Sequence, residues 1–339
     1  MSATALPPAV VLGAGAWGTA LALVLAYRAE RVYLWGRDAE AQRRIAADRV
    51  NARYLPDVRL PSHIEILEDL ALLPAEVRTA VLVTPFQSTR EVLSRLRAAA
   101  PQVARIACAA KGLEAGTHLT APQIVAEVCG AGFPVAVLSG PNFALEVAQG
   151  LPAAITVAAD TAGFGAELLE RLYSPRFRPY LSADLTGVAI GGGVKNVLAI
   201  AAGISDGLGL GANCRAALIT RGLAEITRLG TALGGRPETF MGLSGLGDVV
   251  LTCTDDLSRN RRFGLAIGGG QSLAAAREEI GLVEGLVTAG EVVALAARLG
   301  IEMPIATQVA ATLRGDVTPA EAVAALMSRE PGVEARHPH

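Results

Sequence analysis

Residues 9–27 restrict the fold more than any other segment. They carry no charge over nineteen positions, and three glycines, Gly13, Gly15 and Gly18, interrupt the run. That length would suit a membrane helix. The glycines, and the lack of any Lys or Arg before Arg28 to form a leader's charged start, instead predict a strand, a tight turn and a buried helix. No membrane insertion is expected, and a cytoplasmic location follows as the default. A β-rich run at 10–12, then Gly13-Ala14-Gly15-Ala16-Trp17-Gly18 opening a helix, is the context in which a chain cradles a dinucleotide. Gly13 permits the sharp turn, Gly15 lets a pyrophosphate approach the backbone, and Gly18 lets helix and strand pack closely. The helix start offers unpaired N–H groups to phosphate.

The pattern continues as alternation. Short β-rich runs at 31–35, 79–84, 103–107, 134–138 and 154–157 are separated by helical segments such as 18–28 and 88–98, the latter opened by a Ser or Thr cap. Such alternation predicts a parallel sheet covered on both faces, with 180–182 as an edge strand. Beyond about residue 186 the strand signal stops. Residues 194–204 are apolar nearly all round and read as a buried central helix; Asn213 is expected to cap a second long helix through Leu229, and further helices fall around Val249, Arg261, Glu291 and Glu321. The expected architecture is an α/β, Rossmann-type doubly wound domain (1–189), an all-α substrate and catalytic domain (190–330) and a loosely ordered tail (331–339). At 339 residues the chain suits two domains of roughly 100–200 residues each.

Charge narrows the function classes. A net charge of -2 without any basic run leaves no footprint for nucleic acid or an anionic membrane, so the expected partner is a small molecule. Cys108, Cys129, Cys214 and Cys253 are widely spaced and read as reduced core residues, with neither a disulfide framework nor a metal site. Of 30 basic residues, only Lys111 and Lys195 are lysines.

Lys195 lies in Gly191-Gly192-Gly193-Val194-Lys195-Asn196, at the expected start of the apolar helix. Burial lowers a lysine's pKa toward the range where it exchanges protons. The preceding glycines allow a ring or a backbone to approach. Lys111 and the turn Ser139-Gly140-Pro141-Asn142 each follow a strand, where the ligand crevice of an open α/β sheet lies. Asp248, in an apolar glycine-rich segment, either orients a lysine or a substrate hydroxyl, or caps a helix. Ser258-Arg259-Asn260-Arg261-Arg262 combines a capping serine, a helix start and guanidiniums, which suits phosphate and also a solvated basic turn. After the second strand, Arg37 favours a 2′-phosphate and so NADP(H), while Asp38 keeps NAD(H) open.

Together these motifs resemble the bacterial NAD(P)-dependent sn-glycerol-3-phosphate dehydrogenase family. The match extends through Asn51-Ala-Arg-Tyr-Leu-Pro56, Ser205-Asp-Gly207, Thr220-Arg-Gly-Leu-Ala-Glu225, Leu251-Thr-Cys-Thr254 and Val283-Glu-Gly285. The resemblance implies reversible reduction of dihydroxyacetone phosphate to sn-glycerol 3-phosphate, the backbone of phospholipids. It implies Lys195 as the catalytic lysine, with Asp248 and Lys111 beside the substrate. It further implies Gly140, Asn142, Ser258, Arg259 and Asn260 at the substrate, and Ala16, Trp17, Arg37, Tyr54, Lys111, Ala144, Arg259, Leu282 and Glu284 at the cofactor. A homodimer is a candidate assembly. Asn142 stands where many members have Ser or Thr, Leu282 replaces a frequent Val, and the expected loop 286–289 lacks an Arg often found there. The rivals are a β-hydroxyacid or ketopantoate-type dehydrogenase and a non-catalytic NADP(H) sensor.

Overall fold

The computed structural model describes residues 5–329; the expected tail at 331–339 lies outside the described residues. The first half contains ten strands: β1 (Ala9–Leu12), β2 (Val32–Trp35), β3 (Val50–Asn51), β4 (Leu55–Arg59), β5 (Ile64–Leu67), β6 (Thr79–Leu82), β7 (Arg105–Cys108), β8 (Val135–Ser139), β9 (Ala153–Ala159) and β10 (Phe177–Ser182). Six helices accompany them: α1 (Ala16–Ala26), α2 (Ala39–Asp48), α3 (Thr89–Ala99), α4 (Ala121–Cys129), α5 (Ala144–Ala148) and α6 (Ala162–Leu172). Eight strands form one sheet in the order β10-β9-β8-β7-β6-β1-β2-β5, and β3 and β4 make a separate hairpin.

Alternate residues of each strand enter opposite cores, the period-2 geometry of a sheet buried on both faces. Val11, Leu34, Val81 and Ala107 join Leu21 and Leu25 of α1 and Leu168 of α6. Val10, Leu12, Trp35, Leu82 and Ile106 face Leu93 and Leu96 of α3 and Ile124 of α4.

The sheet departs from the expected all-parallel form at one edge, where β9 runs antiparallel to β8 and β10 follows β9. A parallel return needs a crossover that travels the length of the strand. Only the five-residue α5 lies between β8 and β9, so the chain doubles back.

The second half is helical: α7 (Leu185–Gly207), α8 (Gly211–Ala232), α9 (Pro237–Phe240), α10 (Asp248–Thr254), α11 (Arg259–Gly268), α12 (Leu273–Ile280), α13 (Gly285–Arg298), α14 (Pro304–Arg314) and α15 (Pro319–Met327). Helix α7 is long and apolar enough to cross a membrane, but it is buried at the centre of this half. Its first turns pack Val188 against Val137 of β8 and Ala158 of β9, so α7 runs unbroken through the division expected near residue 190.

Lys195 therefore sits within α7, not at a helix start. Three consecutive glycines disfavour a helix locally, but tertiary packing requires them here. A Cβ on Gly191 would stand 2.8 Å from the Ser244 carbonyl oxygen, and one on Gly192 would stand 2.4 Å from Ser139 Oγ. Backbone and small side chains fill the space, not a ring. Two expected caps also differ. Asn213 lies in the first turn of α8, whose N-cap is Leu210, and Ser88 occupies the N-cap of α3 without a side-chain hydrogen bond. Residues 286–289, expected as a loop, form the first turns of α13.

Candidate active site

The sheet places the site. β1 lies between β2 and β6, so the chain's strand order reverses beside it, and a crevice opens at the carboxyl ends of the parallel strands. Gly13 follows β1, Lys111 lies just beyond β7, and Gly140 follows β8.

At the β1–α1 turn Gly13 has φ 122° and packs against Val83, and a Cβ on Gly18 would lie 1.8 Å from the Gly13 carbonyl oxygen. Over Gly15 nothing approaches within 4 Å. The N-terminus of α1 has no side-chain cap and no acid in its first turn, leaving its N–H groups for an anion. Closed contacts at Gly13 and Gly18 and open space at Gly15 fit a bound dinucleotide. Ala16 and Trp17 lie half-buried in this first turn, and Ala144 opens α5, which packs on α1. Arg37 is exposed just beyond β2, while Asp38 caps α2 by accepting from the Ala41 N–H at 3.0 Å. Tyr54 in the β3–β4 turn is exposed with Arg53 over its ring, and Leu282 is exposed ahead of α13.

The two lysines meet at one carboxylate. Lys195 Nζ donates to Asp248 Oδ1 and to Thr252 Oγ1 at 2.8 Å; Lys111 Nζ donates to Asp248 Oδ2 and to the Gly140 carbonyl at 3.3 Å. Asp248 is fully buried at the start of α10, just after the irregular turn 243–247. Its carboxylate thus orients lysines, and Gly247 holds the N-cap position. Burial lowers the Lys195 pKa to about 8, with Asp248 opposing the fall and Lys111 adding to it. Burial also pushes Asp248 upward, yet the two ammonium groups prevail and hold it below the usual carboxylate range. A lysine that titrates at about 8 beside a carboxylate held in its ionised form by two ammonium groups can both give and take a proton.

Thr252 and Asn196 were not singled out as site residues from sequence. Thr252 stands four residues after Asp248 on α10, and its signals in the sequence are that helical spacing and its place in the Leu251-Thr-Cys-Thr254 motif. Asn196 Oδ1 accepts from Asn260 Nδ2 at 3.1 Å, while Asn260 Oδ1 accepts from the Gly285 N–H at 2.9 Å. Asn260 thereby ties α7, α11 and α13 together.

Ser258 caps α11, accepting from the Arg261 N–H at 3.2 Å, and Arg259 is exposed at the helix start. Asn142 donates to the Ala154 carbonyl at 2.9 Å, and its buried Oδ1 has no partner within the protein. Burial raises Glu284 to about 7, with Arg259, the Phe86 backbone, Lys111 and Lys195 pulling against it. The helical half thus brings Glu284 within electrostatic reach of Arg259 and of both lysines.

Two family models cover most of the chain: the NAD-dependent glycerol-3-phosphate dehydrogenase N-terminus over 8–164 and the corresponding C-terminus over 184–324. A glycerol-3-phosphate dehydrogenase [NAD(P)+] of Thioalkalivibrio sulfidiphilus is 54% identical over 325 residues, covering 96% of this chain and 98% of the relative. One of Alkalilimnicola ehrlichii is 51% identical over 325 residues, covering 96% and 98%. The crystal structure of glycerol-3-phosphate dehydrogenase from Coxiella burnetii matches with a TM-score of 0.91 at 46% identity, over 96% of this chain and all of that one. By sequence along nearly its whole length and by fold, the chain belongs to the NAD-dependent glycerol-3-phosphate dehydrogenase family.

Proposed function

We propose that the protein interconverts dihydroxyacetone phosphate and sn-glycerol 3-phosphate with NAD(P)(H), supplying the backbone for glycerophospholipids. The observation that carries the mechanism is the Lys195–Asp248–Lys111 cluster at the carboxyl edge of the sheet, in which Asp248 and Lys195 are buried. When bound at the β1–α1 turn, the nicotinamide cofactor supplies or accepts the hydride. In the reducing direction Lys195 Nζ protonates the oxygen at C2 of the substrate, and in reverse the neutral amine takes that proton back. Asp248 holds Lys195 in place and keeps it charged despite burial. Lys111, anchored on the Gly140 carbonyl, adds a second positive charge that steadies developing negative charge on substrate oxygen. The N–H groups of the Ser258 helix start and the exposed Arg259 grip the phosphate, and Asn142 Oδ1 accepts from a substrate hydroxyl.

The same reading assigns the cofactor to Gly13, Gly15, Ala16, Trp17, Gly18, Arg37, Tyr54, Ala144, Leu282 and Glu284. It favours NADP(H), because the Asp38 carboxylate is engaged in capping α2 while Arg37 is exposed at the surface. The first half would hold most of the cofactor and the second half most of the substrate, with Lys111 and Asn142 reaching the substrate from the first half and Leu282 and Glu284 reaching the cofactor from the second. A cytoplasmic location and a homodimer complete the proposal, the latter checked by sedimentation.

The deciding experiment follows NADPH and NADH oxidation with dihydroxyacetone phosphate and with unphosphorylated keto acids, in the parent and in Lys195→Ala. Turnover should be far faster with the phosphate ester than with the keto acids. It should drop about 100- to 10,000-fold in the variant, with cofactor affinity retained. Near-normal turnover in Lys195→Ala would reject its assignment.

A further inference from the structure

The turn that carries Ser258, Arg259 and Asn260 is held by a guanidinium that the proposed chemistry does not use. Arg261 is 7% exposed. Its Nε donates to the Cys253 carbonyl at 3.0 Å, Nη2 to Asp206 Oδ2 at 2.6 Å, and Nη1 to Asp256. Asp206, at the end of α7, accepts both its remaining contacts from Nη1 of Arg215 on α8, each at 2.8 Å. The cluster therefore joins the end of α7, the first turns of α8, the α10–α11 connection and the first turn of α11.

Backbone contacts continue the clamp along the helix pair. Gly203 and Gly207 of α7 face α11, and Gly264 and Gly268 of α11 face α7. A Cβ on Gly203 would stand 2.1 Å from the Arg261 carbonyl oxygen, and one on Gly264 2.1 Å from that of Ile200. Helices this close cannot slide or tilt without overlapping. Lys195 lies on one of them, and the Ser258 turn begins the other.

We infer that Arg261 is a positioning residue: by clamping the first turn of α11 to Asp206 and to the α10–α11 connection, it sets the distance from the phosphate-binding turn to Lys195. The enzyme would thereby select substrates whose phosphate and C2 oxygen are one short, fixed span apart. The inference rests on the assignment of the phosphate to Ser258 and Arg259. Without the guanidinium, the end of α10 loses its hold on α11 through the Cys253 carbonyl, and the connection loses its hold through Asp256. Asp206 also loses one of its two counter-charges close to where a dianion must bind.

The test measures kcat and KM for dihydroxyacetone phosphate and for dihydroxyacetone at saturating NADPH, with Tm, in Arg261→Gln, Asp206→Asn and Arg259→Ala. Arg261→Gln and Asp206→Asn should each raise KM for the phosphate ester about tenfold. They should leave kcat/KM for dihydroxyacetone within about twofold and the pH midpoint of the reaction unmoved. Asp206→Asn keeps a polar side chain of the same size, and serves if Arg261→Gln fails to fold. A purely structural role would lower Tm and scale both substrates equally without moving KM, and that result in either folded variant overturns the inference. Arg259→Ala judges the phosphate assignment separately. If it raises the phosphate-ester KM while the other two do not, only the positioning role falls; if it leaves KM unchanged, the assignment falls and the inference with it.

Discussion

Replacing Asp248 by Asn probes the charge that keeps Lys195 protonated. A group that titrates at about 8 is roughly nine-tenths protonated at pH 7. Reduction of dihydroxyacetone phosphate uses the protonated form, so its rate should fall as pH rises through about 8, and oxidation of glycerol 3-phosphate should rise through the same range. Asp248 is the group that raises the Lys195 pKa most; burial and Lys111 both lower it. An ion pair in contact at ~3 Å is worth roughly 5 kcal/mol at an effective dielectric of ~20. At about 1.4 kcal/mol per pH unit, and with water entry and side-chain relaxation recovering about half, the midpoint should move down by about 2 units. The protonated share at pH 7 would then drop from about nine-tenths to about one-tenth, a roughly tenfold loss of reduction from protonation alone. The assay is the pH profile of kcat/KM for reduction, followed by NADPH absorbance, with reductive rate partly recovering as pH is lowered. A midpoint that stays put, or moves up, would refute the assigned electrostatics even if the variant were slow.

Arg37→Ala should weaken NADPH binding about tenfold, the value of a charge-assisted contact, and leave NADH within about twofold. Cofactor fluorescence titration measures both, and equal losses would remove the 2′-phosphate role. Gly18→Ala must place a Cβ 1.8 Å from the Gly13 carbonyl oxygen. Overpacking of that kind costs about 1–3 kcal/mol, so urea unfolding should show it together with weakened cofactor binding. A loss below about 0.5 kcal/mol would mean the turn is not as tight as described. Glu225 on α8 accepts from the Ile305 and Ala306 N–H groups at the start of α14, and burial raises its pKa from 4.5 to about 7. A carboxyl raised on folding binds more protons in the native state, so its contribution is most favourable below pH 4.5 and is lost as pH rises to about 7. The full penalty is about 3 kcal/mol or less. Glu225→Gln should flatten that part of the stability–pH curve, and an unchanged slope would contradict the shift.

Much of this protein was legible without coordinates. Local chemistry announces itself wherever the reason for a residue lies within a few positions of it. Gly13, Gly15 and Gly18 serve a turn between a strand and the helix that follows, so their meaning is local. The strands carrying Val11, Val81 and Ala107 read correctly because burial on both faces makes them short continuous apolar runs. Edge elements were harder: β5 and the β3–β4 hairpin are short and mixed in polarity, and the reversal at β9 depends on the length of the connection before it.

The site divides along the same line. Sequence alone gave away the two-part architecture, the glycine turn after the first strand, the family and the pair of lysines, which stand out because 28 other basic positions are arginine and a lysine, unlike an arginine, can exchange a proton near neutrality. Tertiary structure decided what surrounds those lysines. It placed Lys195 inside α7 instead of at its start, because Gly191 to Gly193 meet Ser244, Ser139 and Gly112 from distant segments. It also brought Lys111 and Lys195 to opposite oxygens of one buried carboxylate and turned Arg261 inward to Asp206. These contacts join residues separated by 53 to 137 positions. No periodicity or spacing encodes which of many possible partners will meet; only the packing of α7 against the sheet and against α10 and α11 selects them.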